Sequence, residues 1–322
     1  MPTYSGVWNL VAQFQAVGQG LWPQPPLVGN IGLFAGGFVT SPSAQRLNVI
    51  DWVTITTLGN ADTFGALTTK CRYLASCSSS TRGLFALGDD GVARSNVIEY
   101  VTISSRSNAT DFGDLTVARQ SAAGCSSSTR GLFGGGFDAS GNSNVIDYVT
   151  IATTGNATDF GDLTVARDGV AGCSSTTRGV FGGGFAANYS NVIDYVTISS
   201  IGNATDFGDL TTARMYSASS SSSTRGLFGG GNTGSLSNII DYITIASVGN
   251  ALDFGDLSSA KDSLASCSNS TRSIFGGGSA SAGITNVIDY VTIASIGNAT
   301  DFGDLTVARY ALAACSNAHG GL

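Results

Sequence analysis

The chain has 322 residues, enough to bury a large core, yet only 11% are charged and 44 are glycine, a balance that favours short strands and tight turns over helices. A formal net charge of −7 argues against a phosphate-binding surface, since nucleic-acid affinity comes from clustered Lys and Arg. No apolar run of about 18 residues is present to insert in a membrane, and the N-terminus lacks the basic start and unbroken apolar stretch of a secretion signal.

Residues 1–29 come first and differ from the rest. Val7, Leu10, Val11, Phe14 and Val17 fall at helical spacing, Trp8 and Trp22 add aromatic area, and no charged residue precedes Arg46. An uncharged apolar arm is expected to bury itself against something. We read 1–29 as an anchoring arm, with Trp8, Leu10, Val11, Phe14 and Trp22 as contacts to a partner protein or to a second copy of the chain.

From residue 30 to 322 one unit repeats. Val-Ile-Asp-Tyr or a close variant occurs six times, with its acid at 51, 99, 147, 194, 241 and 289, so the spacings are 48, 48, 47, 47 and 48. A period near 48 filled with short β-type runs is that of a propeller blade, whereas helical repeats are shorter and carry 3.6-residue periodicity. In the third copy residues 120–126 are small, Gly131-Leu132-Phe133 leads into three glycines, 144–151 are β-branched, and Asp159-Phe160-Gly161-Asp162-Leu163 leads to Arg167. Four short strands per unit follow. The 144–151 run is apolar on both faces, as a strand between two packed sheets must be. The small-residue run fits where blades converge on an axis.

Arg, a small-residue strand, an aromatic strand ending in Phe133-Gly134-Gly135-Gly136, a strand with Tyr148, then Phe160, Leu163 and Arg167 resemble the kelch repeat over residues 30–318. The resemblance implies an all-β, six-bladed kelch-like β-propeller of four-stranded blades. The chain departs from it in placing Phe64, Phe112, Phe160, Phe207, Phe254 and Phe302 where kelch repeats carry Trp, and in the Leu87-Gly88 of the second copy. The first copy starts at Ile31 without an inner strand, and 310–315 form an inner strand with no glycine strand after it. Together the two fragments complete one blade and close the ring.

Five of six cysteines, Cys77, Cys125, Cys173, Cys267 and Cys315, share one register with Ser220, too far apart around a ring for disulfides, and are expected as free buried thiols; Cys71 stands where other copies have Arg. Arg119, Arg167, Arg214, Lys261 and Arg309 form one basic register and Arg82, Arg130, Arg178, Arg225 and Arg272 another. Each can meet the acid of the β-branched strand, which an apolar strand cannot leave unpaired. Asp111 with Asp114, and the equivalent pairs, are expected as turn caps rather than calcium ligands. Asn-Ala-Thr at 108, 156, 203 and 298 reads as polar turns. His319, the single histidine, lies in a mobile-looking tail and is expected to have no catalytic part. No cofactor, metal or enzymatic activity is expected.

The copies disagree most after the glycine strand, at 38–47, 89–95, 137–143, 185–190, 232–237 and 279–285. A repeated frame with variable loops places recognition on those loops, with Arg46, Phe137, Phe185 and Tyr189 as contacts. An anchoring arm plus a displaying disc, near-identical copies and no secretion signal resemble propeller proteins of tailed phages. That resemblance implies a virion structural or attachment protein, assembled in the host cytoplasm, binding a host surface glycan or another virion protein. The alternative is a cytoplasmic kelch-like protein-interaction scaffold.

Overall fold

The computed structural model describes residues 26–322, so the arm residues Trp8, Leu10, Val11, Phe14 and Trp22 lie outside the described residues. Within it there is no helix, and hence none that could cross a membrane. Five antiparallel sheets have four strands each, such as Ala123–Ser126, Arg130–Gly134, Val145–Thr150 and Thr158–Asp162 in consecutive order. A sixth sheet draws on both ends of the chain. Ala313–Ser316 pairs with Ile31–Ala35, which pairs with Gln45–Thr54, which pairs with Asp62–Cys71 and with the short Phe38–Val39.

The β-branched strand shows how sequence fixes local structure. In Val145–Thr150 the neighbours Ile146 and Asp147 are both buried, which simple alternation forbids. A bulge between Ile146 and Asp147 in the pairing with Thr158–Asp162 makes this possible, and the same irregularity recurs in every sheet. The second strand is buried throughout its apolar part, with Leu132 and Phe133 fully enclosed. Gly134 is required there. A Cβ at that position would lie 2.8 Å from the Phe181 ring of the next sheet.

Apolar clusters lie between neighbouring sheets, as in the one joining Leu84, Cys77 and Phe112 to Phe133 and Val149. Each full Phe burial contributes about 1.5–3 kcal/mol. The innermost strands also touch in order, and Ala313–Ser316 lies against both Ala265–Ser268 and Ala75–Ser78. Six seryl hydroxyls stitch these strands. Ser126 donates to the carbonyl of Ser78, Ser174 to Ser126, Ser221 to Ser174, Ser268 to Ser221, Ser316 to Ser268, and Ser78 back to Ser316, at 2.5–2.8 Å.

The two basic registers part company. Arg119, Arg167, Arg214, Lys261 and Arg309 pair with Asp147, Asp194, Asp241, Asp289 and Asp51 of the next sheet at 2.8–3.1 Å, both side chains fully buried. A threonine completes four of these sites; Thr164 donates its hydroxyl to Asp194 at 2.6 Å and its N–H to the other oxygen at 3.3 Å. Arg82, Arg130, Arg178, Arg225 and Arg272 meet no acid of that register, contrary to the sequence expectation. They stack over Tyr100, Tyr148, Tyr195, Tyr242 and Tyr290 at 4.4–4.6 Å and donate to carbonyls of the next sheet, from Ile151 to Ile55, at 2.7–3.0 Å. These arginines open the second strand opposite a threonine, Arg130 facing Thr150 while Phe133 faces Asp147, so the acid lies three residues away and an aromatic face and a free carbonyl take the guanidinium instead. The Asn-Ala-Thr asparagines likewise do more than polarise a turn. Asn156 accepts from the Asp114 N–H of the preceding sheet and Asn203 from that of Asp162, both at 3.1 Å.

Two exceptions in the repeat occur as matched pairs. Cys71 occupies the position of the buried arginines, and the acid it should have paired is Glu99 in place of Asp. Burial pushes the Glu99 carboxyl up, opposed by two hydrogen bonds from Thr68, and pushes the Cys71 thiol up further with Glu99 nearby. In most sheets the cysteine sulfur fits a notch left by glycine on the next sheet, as Cys77 does against Gly131, where a Cβ would lie only 2.5 Å from the sulfur. Where the notch residue is Ser273, the cysteine is replaced by Ser220, and the two hydroxyls bond. All six cysteines are free and buried.

Candidate functional site

The antiparallel order fixes two ends of the axial cavity. Innermost strands run from residue 75 to 78 and their equivalents; the loops after the glycine strands, and the crossings between sheets, gather at the end where these strands begin. The sheet-to-sheet crossings place Tyr73, Ser121, Gly169, Tyr216, Ser263 and Ala311 around that mouth with φ of 53–62°. Each donates its N–H to the carbonyl of the previous member, Tyr73 to Ala311 included, at 2.7–3.1 Å. Left-handed backbone costs a non-glycine residue about 1–2 kcal/mol; here every carbonyl and N–H of the cycle is satisfied by it.

The residues in and just before this register are as unlike between copies as the loops are. Tyr73 and Tyr216 stack over the mouth, ring centroids 5.6 Å apart and planes 27° off parallel. The Tyr216 phenol donates to Asp168 at 3.4 Å, and burial pushes the Asp168 carboxyl up. Tyr310 meets Phe38 edge-on. Beneath the tyrosines lies a cavity of about 80 Å3 lined by Leu74, Ser121, Val170, Ser217 and Leu264 among others.

The loop residues expected from sequence reach the same end. Arg46 donates to Asp89 at 2.8 Å, and Arg72 grips the same carboxylate oxygen at 2.8 Å; burial opposes ionisation, but these two cations hold Asp89 below its usual range. Phe137 bridges to Gln120 and lies under the Arg94 guanidinium at 4.6 Å. Phe185 and Tyr189 pack edge to face at 5.5 Å, and Tyr189 reaches Asn232. Arg46 is thus engaged within the fold, while the aromatics are half-buried. Tyr73, Tyr216, Tyr310 and Asp168 escaped the sequence reading. The signal was available, because 72–73, 120–121, 168–169, 215–216, 262–263 and 310–311 differ in every copy.

The other end is stoppered. His319 is no part of a loose tail: its Nε2–H donates to the Ser78 carbonyl at 3.0 Å, and its Nδ1 accepts from the Gly321 N–H at 3.0 Å. Gly320 donates to the Ser221 carbonyl, fastening the tail across the seryl cycle. A cavity of about 50 Å3 lies behind it, lined by serines, small residues and the five register cysteines. Burial pushes the imidazole down. On this side too, Leu27 donates to the Ser104 carbonyl, so the segment leading back to residues 1–25 departs from the end opposite the variable loops. Among the described residues no three His, Cys, Asp or Glu side chains are grouped to hold a metal. Compared with protein-family models and with curated proteins, the chain matches none.

Proposed function

We propose that the chain is a six-bladed, kelch-like β-propeller acting as a non-enzymatic virion attachment protein of a tailed phage. Residues 1–29 anchor it, and the variable mouth binds a host surface glycan. The observation carrying this reading is the separation of variation from departure: differing side chains collect at one end of the axis, and the segment leading to the arm leaves from the other. A disc so arranged presents one end while held by the other. The pairing of Ile31–Ala35 with Ala313–Ser316 and the seryl cycle support the closed six-bladed ring, which an experimental density map with any other blade count would refute.

Quantitative mass spectrometry of purified particles tests the attachment role. The protein is expected at a fixed ratio to a tail protein, and deletion of 1–29 is expected to remove it from particles. Recovery only from host lysate would discard the virion reading in favour of a cytoplasmic scaffold.

A further inference from the structure

We propose that the mouth closed by Tyr73 and Tyr216 binds the end of a neutral sugar chain, with Asp168 accepting hydrogen bonds from its hydroxyls. This rests on reading the variable end as the binding end, and not on the virion setting.

The frame has no need of these tyrosines. Gly169, Ser121, Ser263 and Ala311 hold the same left-handed position elsewhere around the mouth, so two large rings imposed on strained backbone ask for another reason. Behind the rings, Ser121 and Ser217 are 6% and 7% exposed; the Ser217 hydroxyl has no partner, and the Ser121 hydroxyl has at most the Tyr216 phenol beside it. Both line the cavity of about 80 Å3, which has room for an exocyclic hydroxymethyl or acetamido group and for water. A buried hydroxyl without a protein partner, and a second released when the Tyr216 ring moves, call for a ligand that both donates and accepts.

Charge narrows the class. Asp168 is half-buried and its only side-chain partner is the Tyr216 phenol, while the two arginines nearest the mouth, Arg46 and Arg72, are both held by Asp89. Arg94 is stacked on Phe137, and no lysine or arginine lines the cavity to meet an acidic sugar. A lysine side chain would answer Asp168, but the wall around the free hydroxyls is Leu74, Val170 and Leu264, where a charge is far costlier than a hydroxyl. A pyranose offers hydroxyls to Asp168, Ser121 and Ser217 and an apolar C–H face to tyrosine. Access requires the rings to part by side-chain rotation, a fast motion for partly exposed residues.

The test is saturation-transfer NMR and calorimetry on the full chain, with methyl glycosides of glucose, galactose, mannose and N-acetylglucosamine as probes. Glucuronate, N-acetylneuraminate and an oligolysine peptide run beside them. Tyr73→Ser and Tyr216→Ser borrow the residue already present at Ser121 and Ser263, so the backbone accepts them; Asp168→Asn removes only the charge. At least one neutral glycoside is expected to bind, about tenfold more weakly in each variant, with unfolding temperatures unchanged. Binding of acidic sugars or oligolysine alone, no neutral binding, or equal binding by the variants would overturn the proposal. Failure of the neutral probes with the protein still stoichiometric in particles would remove this site and leave the attachment role standing.

Discussion

Asp194 and Glu99 hold the same place in the repeat, yet their neutralisation should act oppositely. Asp194 is fully buried, receives two hydrogen bonds from Thr164, and pairs with the fully buried Arg167 at 2.8 Å. Asp194→Asn leaves that guanidinium without its counter-charge, and breaking a buried pair from one side costs about 3–5 kcal/mol. In a domain of this size that lowers the unfolding temperature by on the order of 6–10 °C. Glu99 has Thr68 but Cys71 instead of a cation, and burial already favours its protonated form. Glu99→Gln keeps an acceptor for Thr68 and strands no charge, so at neutral pH it should change stability by less than about 1 kcal/mol or raise it. The pH dependence follows in sign. Because the folded carboxyl titrates above its unfolded value, its contribution is fully present below the unfolded pKa and is lost as pH rises through the folded one. Glu99→Gln should remove that loss. Guanidinium unfolding of the wild type and both variants across the acid-to-neutral range measures this. Equal penalties for the two substitutions, or a harmless Asp194→Asn, would refute the account of the seams.

The glycine notches predict that Gly131→Ala, whose Cβ would press on Cys77 sulfur, costs about 1–3 kcal/mol by overpacking, whereas Ser220→Cys combined with Ser273→Gly restores the common arrangement and is tolerated; urea midpoints that rank the two the other way would contradict the packing. For His319, whose folded pKa lies below its ordinary 6.5, the seal is fully formed above that value and weakens as pH falls, because Nδ1 must keep accepting from Gly321. No charged side chain lines the cavity behind it. NMR titration of this single histidine, with proteolysis of the tail at about pH 5 and 7.5, should show both effects, and a normal pKa with equal protection would disprove it.

Much of the frame was legible because it is written six times. The Val-Ile-Asp-Tyr strand, the thiol register and the ion pairs of Arg119 and its equivalents emerge from residue type and spacing. The split fate of the two arginine registers did not, since it depends on strand pairing, which sets Arg130 opposite Thr150 rather than Asp147. The left-handed cycle was hidden for a similar reason: only Gly169 advertises it, while Ser121 and Ala311 adopt the conformation because their neighbours' carbonyls hold them there. Variability is plain in the loops, but the dipeptides beside them that hold Tyr73, Tyr216 and Asp168 are too short to stand out as a variable segment. His319 was misjudged because glycine-rich tails look loose; Gly320 and Gly321 are small so that they can lie against the serine carbonyls.

The seryl cycle also bears on how such a gene can change. Here each hydroxyl reaches one carbonyl along a circuit running one way around the axis, with one member per sheet. A gained or lost copy would interrupt that circuit, while a point change at the variable mouth touches none of its links. The mouth is thus free to diversify without disturbing these contacts.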